Sequence, residues 1–121
     1  MRVIRLYGQL ATEFGPTYGR EFRLAVRSPR EALIALCAQI PGFAAALARL
    51  ADGLHVRTGK RWRGDADFAA PCGTDDEIRL IPATAASGAK TRVAVGTVMA
   101  VVGYMYGGPL GGMALSSGMA L

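Results

Sequence analysis

Apolar and polar residues alternate with period two near the start of this chain, which predicts strands with one buried face. The alternation is clearest over residues 20–27, where apolar and charged side chains fall on opposite sides. The apolar positions of that segment are Phe22, Leu24 and Val26. A similar pattern over residues 3–10 predicts a first strand. The intervening residues 13–19 are rich in turn formers, so the sequence predicts an antiparallel hairpin.

A helix is predicted to follow the hairpin, because its start carries three separate signals. Ser28 can cap the free backbone amides, Pro29 suits the first helical position, and Glu31 can complete a capping box. Apolar residues then recur at helical spacing, namely Ala32, Leu33, Leu36, Cys37 and Ile40. Pro41 and Gly42 are expected to end the helix.

A short helix and three more strands are predicted in the rest of the domain. The helix covers residues 43–50, and the strands cover residues 54–57, a segment around Trp62, and residues 77–82. A hairpin, a helix that crosses it and later strands give the element order of a β-grasp, or ubiquitin-like, fold. The sequence therefore predicts an α+β domain over residues 1–82.

The chain changes character after Arg92. All 14 Lys and Arg and all 9 Asp and Glu lie at or before that residue, and residues 93–121 are mostly Gly, Ala, Val, Met and Leu. Residues 83–92 are expected to form a flexible linker, because they offer few side chains that could dock. Residues 93–106 are the one clean helical stretch, since Pro109 and the glycines near it interrupt the remainder. The sequence thus predicts an apolar, Gly-rich helical tail.

The apolar tail has several possible environments. Its glycines recur at four-residue spacing, which allows close packing between helices. They are Gly103, Gly107 and Gly111, together with Gly108 and Gly112. Burial inside a protein assembly is one possibility, with the methionines filling irregular gaps. Insertion into a membrane is a second, although residues 93–106 are short for a span. Use of both environments at different stages is the third.

Charge and cysteine content indicate little further chemistry. The net charge of +5 suits solubility or an acidic partner, but it is too dispersed to predict nucleic-acid binding. Cys37 fits the core side of the predicted helix, and Cys72 lies in a predicted turn. His55 is the only histidine, and no nucleophile is paired with a base in the sequence. We therefore expect no catalytic site, no metal and no cofactor.

A possible protein-contact patch consists of Arg61, Trp62 and Arg63. Trp and Arg are over-represented among the residues that dominate the binding energy of interfaces. An equally good interpretation is that Trp62 covers the open edge of a small core. The sequence does not separate the two.

Several segments together resemble tail assembly protein I of lambda-like siphophages. The matching segments are Ile4-Arg5-Leu6-Tyr7-Gly8, Phe14-Gly15, Ala32-Leu33, Leu36, Gln39-Ile40-Pro41-Gly42-Phe43, Asp76-Glu77-Ile78-Arg79-Leu80-Ile81-Pro82 and Ser87-Gly88-Ala89-Lys90. The resemblance extends to the apolar Gly/Ala-rich segment that follows and covers essentially the whole chain. Members of that family usually continue past the apolar segment into a polar region, whereas the present sequence stops at Leu121.

The resemblance implies a non-enzymatic component of a phage tail tip. The expected partners are the central tip protein that recognises the host, the minor tip proteins and a peptidase resembling tail protein K. Contact with the host membrane, on release of the apolar segment at DNA ejection, is a further possibility, and no nucleic-acid partner is expected. The expected location is the virion tail tip, with assembly in the host cytoplasm. The same resemblance suggests processing at Gly88 and Ala89, and an uncut linker is the alternative. A small single-pass or membrane-active protein with a soluble β-grasp domain is the competing function.

Overall fold

The computed structural model describes residues 1–50, 52–84 and 91–107. In these ranges a five-stranded mixed sheet is combined with four helices. The strands are β1 (Arg2–Leu6), β2 (Glu21–Leu24), β3 (Leu54–Thr58), β4 (Arg61–Arg63) and β5 (Glu77–Pro82). The helices are α1 (Gly8–Tyr18), α2 (Pro29–Gln39), α3 (Phe43–Ala48) and α4 (Val95–Gly107). The predicted combination of a sheet with helices is therefore confirmed.

The first and last strands of the sheet meet at its centre. The strand order is β2-β1-β5-β3-β4. β1 and β5 run parallel, and the other neighbouring pairs are antiparallel. The register places Ile4 beside Ile78 and Val56 beside Leu80. Because residues directly opposite each other point to the same side of a sheet, one face is apolar from β1 to β3.

The core lies between that apolar face and the helices. It contains the inward side chains of the strands and the buried faces of α1, α2 and α3. Val93, Val98 and Val101 belong to the same buried cluster, with exposed fractions of 0%, 1% and 3%. The start of the apolar segment is therefore packed into the same core as residues 1–84.

The start of α2 has the predicted Ser28 cap and Pro29, while Glu31 bonds the Arg27 amide instead of completing a capping box with the Ser28 amide. Ser28 accepts a hydrogen bond from the Glu31 amide at 3.2 Å, and Pro29 occupies the first helical position. The Glu31 carboxylate accepts a hydrogen bond from the Arg27 amide at 3.0 Å. The bond to Ser28 satisfies an amide that a helix start otherwise leaves without a partner, and the bond from Arg27 fixes the chain just before the cap. The predicted helix start is confirmed.

The connection between β1 and β2 differs from the prediction. The sequence predicts a strand to residue 10 and a turn over residues 13–19, but residues 8–18 form α1. Leu10 and Phe14 are buried one helical turn apart, and the Phe14 ring lies 5.2 Å from the ring of Phe43. α1 has no side-chain cap and contains Pro16, so this packing outweighs poor local signals. β1 and β2 still pair antiparallel, but the predicted tight hairpin is wrong.

Most other predicted boundaries agree with the structure to within two residues. β5 and the start of β3 coincide with the prediction, and α3 ends two residues early. β2 is shorter than the predicted strand over residues 20–27 and ends at Leu24. Val26 is nevertheless buried, as its place in the alternating pattern predicts.

The apolar segment begins with α4, close to the stretch predicted over residues 93–106. α4 has 13 residues and packs against α2 and α3. Among the described residues, no helix has both the length and the apolar character needed to cross a membrane.

Candidate interaction surface

The sheet face opposite the helices carries a row of long side chains that crosses all five strands. The register aligns one residue from each strand. From β4 to β2 these residues are Trp62, Arg57, Arg79, Arg5 and Glu21. We call them the arginine row. Each is exposed or half-buried, so the row is accessible in the described part of the chain.

Two glutamates form ion pairs with two of the three arginines of the row, Arg5 and Arg79. Glu77 lies between Arg5 and Arg79, at 2.6 Å from the Arg5 Nε and 2.9 Å from the Arg79 Nε. Glu21 lies 3.4 Å from a terminal nitrogen of Arg5 and 3.6 Å from Arg23. Exposed ion pairs of this kind contribute little to stability. Their main effect is to order the guanidinium groups on the surface.

Trp62 lies at the β4 end of the arginine row. The Arg57 guanidinium lies over its ring, 5.2 Å from the centroid, and the Arg57 Nε donates a hydrogen bond to the Gly59 carbonyl at 3.1 Å. The His55 ring contacts the indole nearly edge-on at 5.8 Å. Cation–π and aromatic contacts fix the position of Trp62, which remains half-buried. A pre-positioned indole beside arginines is a typical centre of a protein interface.

The structure separates Trp62 from its sequence neighbours in the predicted patch. Successive residues of a strand point to opposite faces of the sheet, so Arg61 and Arg63 point away from Trp62. Arg63 is 1% exposed, and Arg61 is exposed beside Asp67 at 3.7 Å. The arginine that contacts Trp62 is instead Arg57 of the neighbouring strand β3, which the local sequence does not reveal.

Arg63 is a structural residue that holds the loop between β4 and β5. Its guanidinium donates to the Thr58 hydroxyl at 2.9 Å and to three carbonyls at 2.8, 2.8 and 3.0 Å. The carbonyls belong to Asp67, Ala70 and Pro71. Arg2 acts in a similar way on the carbonyls of Val26, Gly73 and Asp75. Both arginines therefore stabilise the loop backbone by donating hydrogen bonds to carbonyl groups and not by pairing with carboxylates.

A cleft opens at the Glu21 end of the arginine row. It has a volume of about 370 Å³ and is lined by side chains of β1, α1 and the start of β2. The lining residues include Arg5, Tyr7, Ala11, Thr12, Arg20 and Glu21. The row and the cleft together form a polar surface with room for a side chain from a partner.

A second feature is the attachment of the apolar segment to β3. Leu54 and Val93 exchange backbone hydrogen bonds of 2.9 and 2.7 Å, and His55 Nδ1 lies 3.0 Å from the Thr91 carbonyl oxygen. Gly53 has a φ of +87°, and a Cβ there would collide with the Val93 carbonyl. Glycine is therefore required for this close approach.

Asp65 holds the first turn of α4 from outside the helix. Its Oδ1 accepts hydrogen bonds from the Ala94 amide at 2.9 Å and from the Thr97 hydroxyl at 2.8 Å. These bonds, with the amide as the larger contribution, lower the pKa of Asp65 below its ordinary value of 3.8. A carboxylate at a helix N-terminus also interacts favourably with the helix dipole.

The glycines proposed for close packing are described only in part. Gly103 is exposed on α4, and a Cβ there would have no neighbour within 4 Å. Gly107 is the last residue of α4. Gly108, Gly111 and Gly112 lie outside the described residues, as do Gly88 and Ala89 of the predicted processing site. The exposed position of Gly103 leaves it accessible to a partner helix.

The two cysteines are buried, without a disulfide. Burial raises the pKa of the Cys37 thiol to about 11 and also raises that of Cys72. A thiol with a raised pKa is a weak nucleophile at neutral pH. Among the described residues, no group of three or more His, Cys, Asp and Glu side chains is arranged to bind a metal ion.

No protein family, curated protein or solved structure matches this chain. The resemblance to tail assembly protein I therefore remains a prediction from the sequence. The physical case for a function rests on the two surfaces described above, the arginine row and the docked start of the apolar segment.

Proposed function

We propose that this chain is a non-enzymatic component of a bacteriophage tail tip. In this proposal a β-grasp domain docks on neighbouring tip proteins and carries the apolar C-terminal segment into their complex. The partners are the central tip protein, the minor tip proteins and a peptidase resembling tail protein K. The protein acts in the host cytoplasm during assembly and in the virion afterwards.

Strand order and direction support the β-grasp part of the proposal. The first and last strands are parallel neighbours at the centre of the sheet, and each has an antiparallel strand on its other side. α2 lies in the connection from the β1–β2 pair to the β3–β4 pair and covers one face of the sheet. α1 between β1 and β2 is an addition to the simple element order predicted from the sequence.

The observation that carries the functional proposal is the packing of α4 into the core. Val98 and Val101 bury the apolar face of α4 against α2 and α3, while Gly96, Ala100 and Gly103 are exposed. One side of α4 is thus buried against the domain, and the side that carries small residues is exposed. Small side chains permit the backbone of another helix to approach closely. This arrangement suits a helix whose exposed side is covered by a partner protein in the assembled complex.

The arginine row supplies a separate surface on the opposite side of the sheet from the helices. Including Arg23, the outer face has four arginines against two glutamates, Glu21 and Glu77. The excess positive charge favours a partner with acidic groups, and ordered Arg and Trp side chains favour a protein interface. Docking through the row leaves α4 free to engage a second partner.

Co-expression with the other tip proteins of the same genome tests this function. We expect the full chain to co-purify with at least one tip protein and to become more soluble in its presence. The charge reversal Arg79→Glu on the row is expected to reduce recovery at least about tenfold, as the loss of an interface hot spot does. Arg27→Glu, at an exposed position just before α2, serves as the charge reversal away from the row and is expected to retain binding.

The competing function is that of a small membrane-active protein. The observation that favours it is the absence of charged residues from positions 93–121. That function predicts flotation of the full chain with lipid vesicles when no tip protein is present. Flotation without any association with tip proteins would contradict the tail-tip proposal and support the membrane-active alternative.

A further inference from the structure

We infer that β2 pairs with β2 of a second copy of this chain, so that two sheets join through their β2 edges. β2 is the last strand on its side of the sheet, and among the described residues it pairs only with β1. A free strand edge presents unpaired amides and carbonyls and readily accepts another strand. The inference concerns self-association and goes beyond the proposed docking in a tail tip.

The register of β1 and β2 shows which residues face the free edge. Leu6 donates a backbone hydrogen bond to the Arg20 carbonyl at 2.8 Å, which makes these two residues a hydrogen-bonded pair. Hydrogen-bonded pairs alternate with non-hydrogen-bonded pairs along an antiparallel ladder. Phe22 therefore bonds towards β1, and the backbone groups of Glu21 and Arg23 point outwards.

The outward residues are self-complementary in one two-fold register. When the two copies are related by an axis through Phe22, Glu21 of each copy lies opposite Arg23 of the other. Both residues then exchange their free amide and carbonyl groups, which gives four backbone hydrogen bonds across the edge. The two Glu21–Arg23 pairs place opposite charges side by side on the outer face, where cross-strand pairs stabilise a sheet.

Neighbouring registers are disfavoured by the same charges. An axis through Arg23 would place Arg23 opposite its own copy, and an axis through Glu21 would place two glutamates together. Like charges directly opposite each other destabilise a strand pair. β4, the strand at the other edge, has only three residues, and pairing centred on Trp62 would place Arg61 opposite Arg63. β2 is therefore the edge suited to self-pairing.

Phe22 adds an apolar contact at the centre of the proposed interface. It packs against the core from the helix side of the sheet and is half-buried in the single chain. In the two-fold register the two Phe22 side chains are direct cross-strand neighbours. Aromatic pairs at such positions are among the stabilising cross-strand contacts. Pairing would also bring the two arginine rows into one continuous ten-stranded sheet.

Complementary charge reversals test the inference in the full chain. Arg23→Glu alone and Glu21→Arg alone each place like charges opposite each other in the homodimer, whereas an equimolar mixture restores both opposite-charge pairs. We expect sedimentation velocity to show at least an about tenfold weaker self-association for each single variant and recovery in the mixture. A wild-type chain that stays monomeric, variants that associate as the wild type does, or a mixture that stays monomeric would each overturn the inference.

Oxidative cross-linking checks the register independently of charge. Phe22→Cys places two thiols opposite each other at the axis, and we expect a disulfide-linked dimer. In Leu24→Cys the two thiols lie four positions apart along the paired strands and should not cross-link. The wild type controls for Cys37 and Cys72, which are both buried. No cross-linking of either variant, which is the result that association through the apolar segment predicts, would overturn the β2 register, as would equal cross-linking of both.

Discussion

Leu54 and Val93 exchange two backbone hydrogen bonds, of 2.9 and 2.7 Å, and so join the start of the apolar segment to β3. Leu54 lies opposite Pro82 of β5 on its other side, and the neighbouring Gly53 carbonyl accepts a hydrogen bond from the Ala83 amide at 3.0 Å. The bridge therefore extends the sheet at the end of β3 that β4 does not reach. It fixes where the chain turns towards α4.

The first prediction concerns the buried face of α4. Val98→Ala removes two methyl groups from a side chain that is 1% exposed and should lower the free energy of unfolding by about 2 kcal/mol. Ala100→Ser, at an exposed position of the same helix, should change it by less than about 0.5 kcal/mol. Urea denaturation of the full chain measures both. Equal effects at the two positions would mean that α4 is not docked on the domain in solution.

The second prediction concerns Asp65 and pH. Because the pKa of Asp65 is lower in the folded chain than its ordinary value, ionised Asp65 stabilises the fold. This contribution is complete above pH 3.8 and is lost as the pH falls through the lower folded pKa. Asp65→Asn keeps a hydrogen-bond acceptor but cannot ionise. Its free energy of unfolding should therefore fall less than that of the wild type between pH 5 and pH 3, because the variant has about one titrating group fewer.

Asp65→Ala separates capping from titration. It removes the acceptor altogether and should cost about 1 kcal/mol at neutral pH, as the loss of a helix cap does. Thermal unfolding of the wild type and the two variants across this pH range provides the comparison. Identical pH profiles for the wild type and Asp65→Asn would contradict the capping role.

The third prediction uses two neighbouring arginines of β4. Arg63→Ala leaves three carbonyls of the β4–β5 loop without their donor and should destabilise the fold by about 3 kcal/mol or more. Arg61→Ala removes an exposed ion pair with Asp67 and should cost less than about 1 kcal/mol. Denaturation midpoints of the two variants test the difference. A larger loss for Arg61→Ala would contradict the structural role of Arg63.

The fourth prediction concerns cleavage between β5 and the apolar segment. A specific protease site that replaces residues 85–90 would allow the chain to be cut there. We expect the two fragments to stay together on gel filtration, because Val93, Val98 and Val101 are buried in the core. Processing at Gly88 and Ala89 would then not release the domain unless a partner removes α4. Spontaneous separation of the fragments under native conditions would show that the packing is too weak to retain the segment.

Features that depend on neighbouring residues were predictable from the sequence. The start of α2 needed only Ser28, Pro29 and Glu31, because the signals for a helix start lie within four residues. The strand over residues 77–82 was predictable because apolar and polar residues alternate there, directly after a cluster of turn-forming residues. Local chemistry determined these elements, so local reasoning was sufficient.

Features that depend on distant contacts were not predictable in the same way. α1 forms because Leu10 and Phe14 pack on the core, while its Gly and Pro residues indicate a turn. The predicted patch grouped Trp62 with Arg61 and Arg63, although strand alternation alone places those arginines on the other face. Identifying Arg57 as the neighbour of both Trp62 and Arg79 required the register of three strands.

Site-specific photo-cross-linking within the assembled tip complex tests whether the arginine row docks on another tip protein. A photoreactive residue at position 79 lies on the arginine row, and one at position 39 lies at the exposed end of α2. We predict efficient cross-links from position 79 to another tip protein and few from position 39. Cross-links from position 39 alone, or none from either position in a complex that contains the chain, would contradict docking through the arginine row.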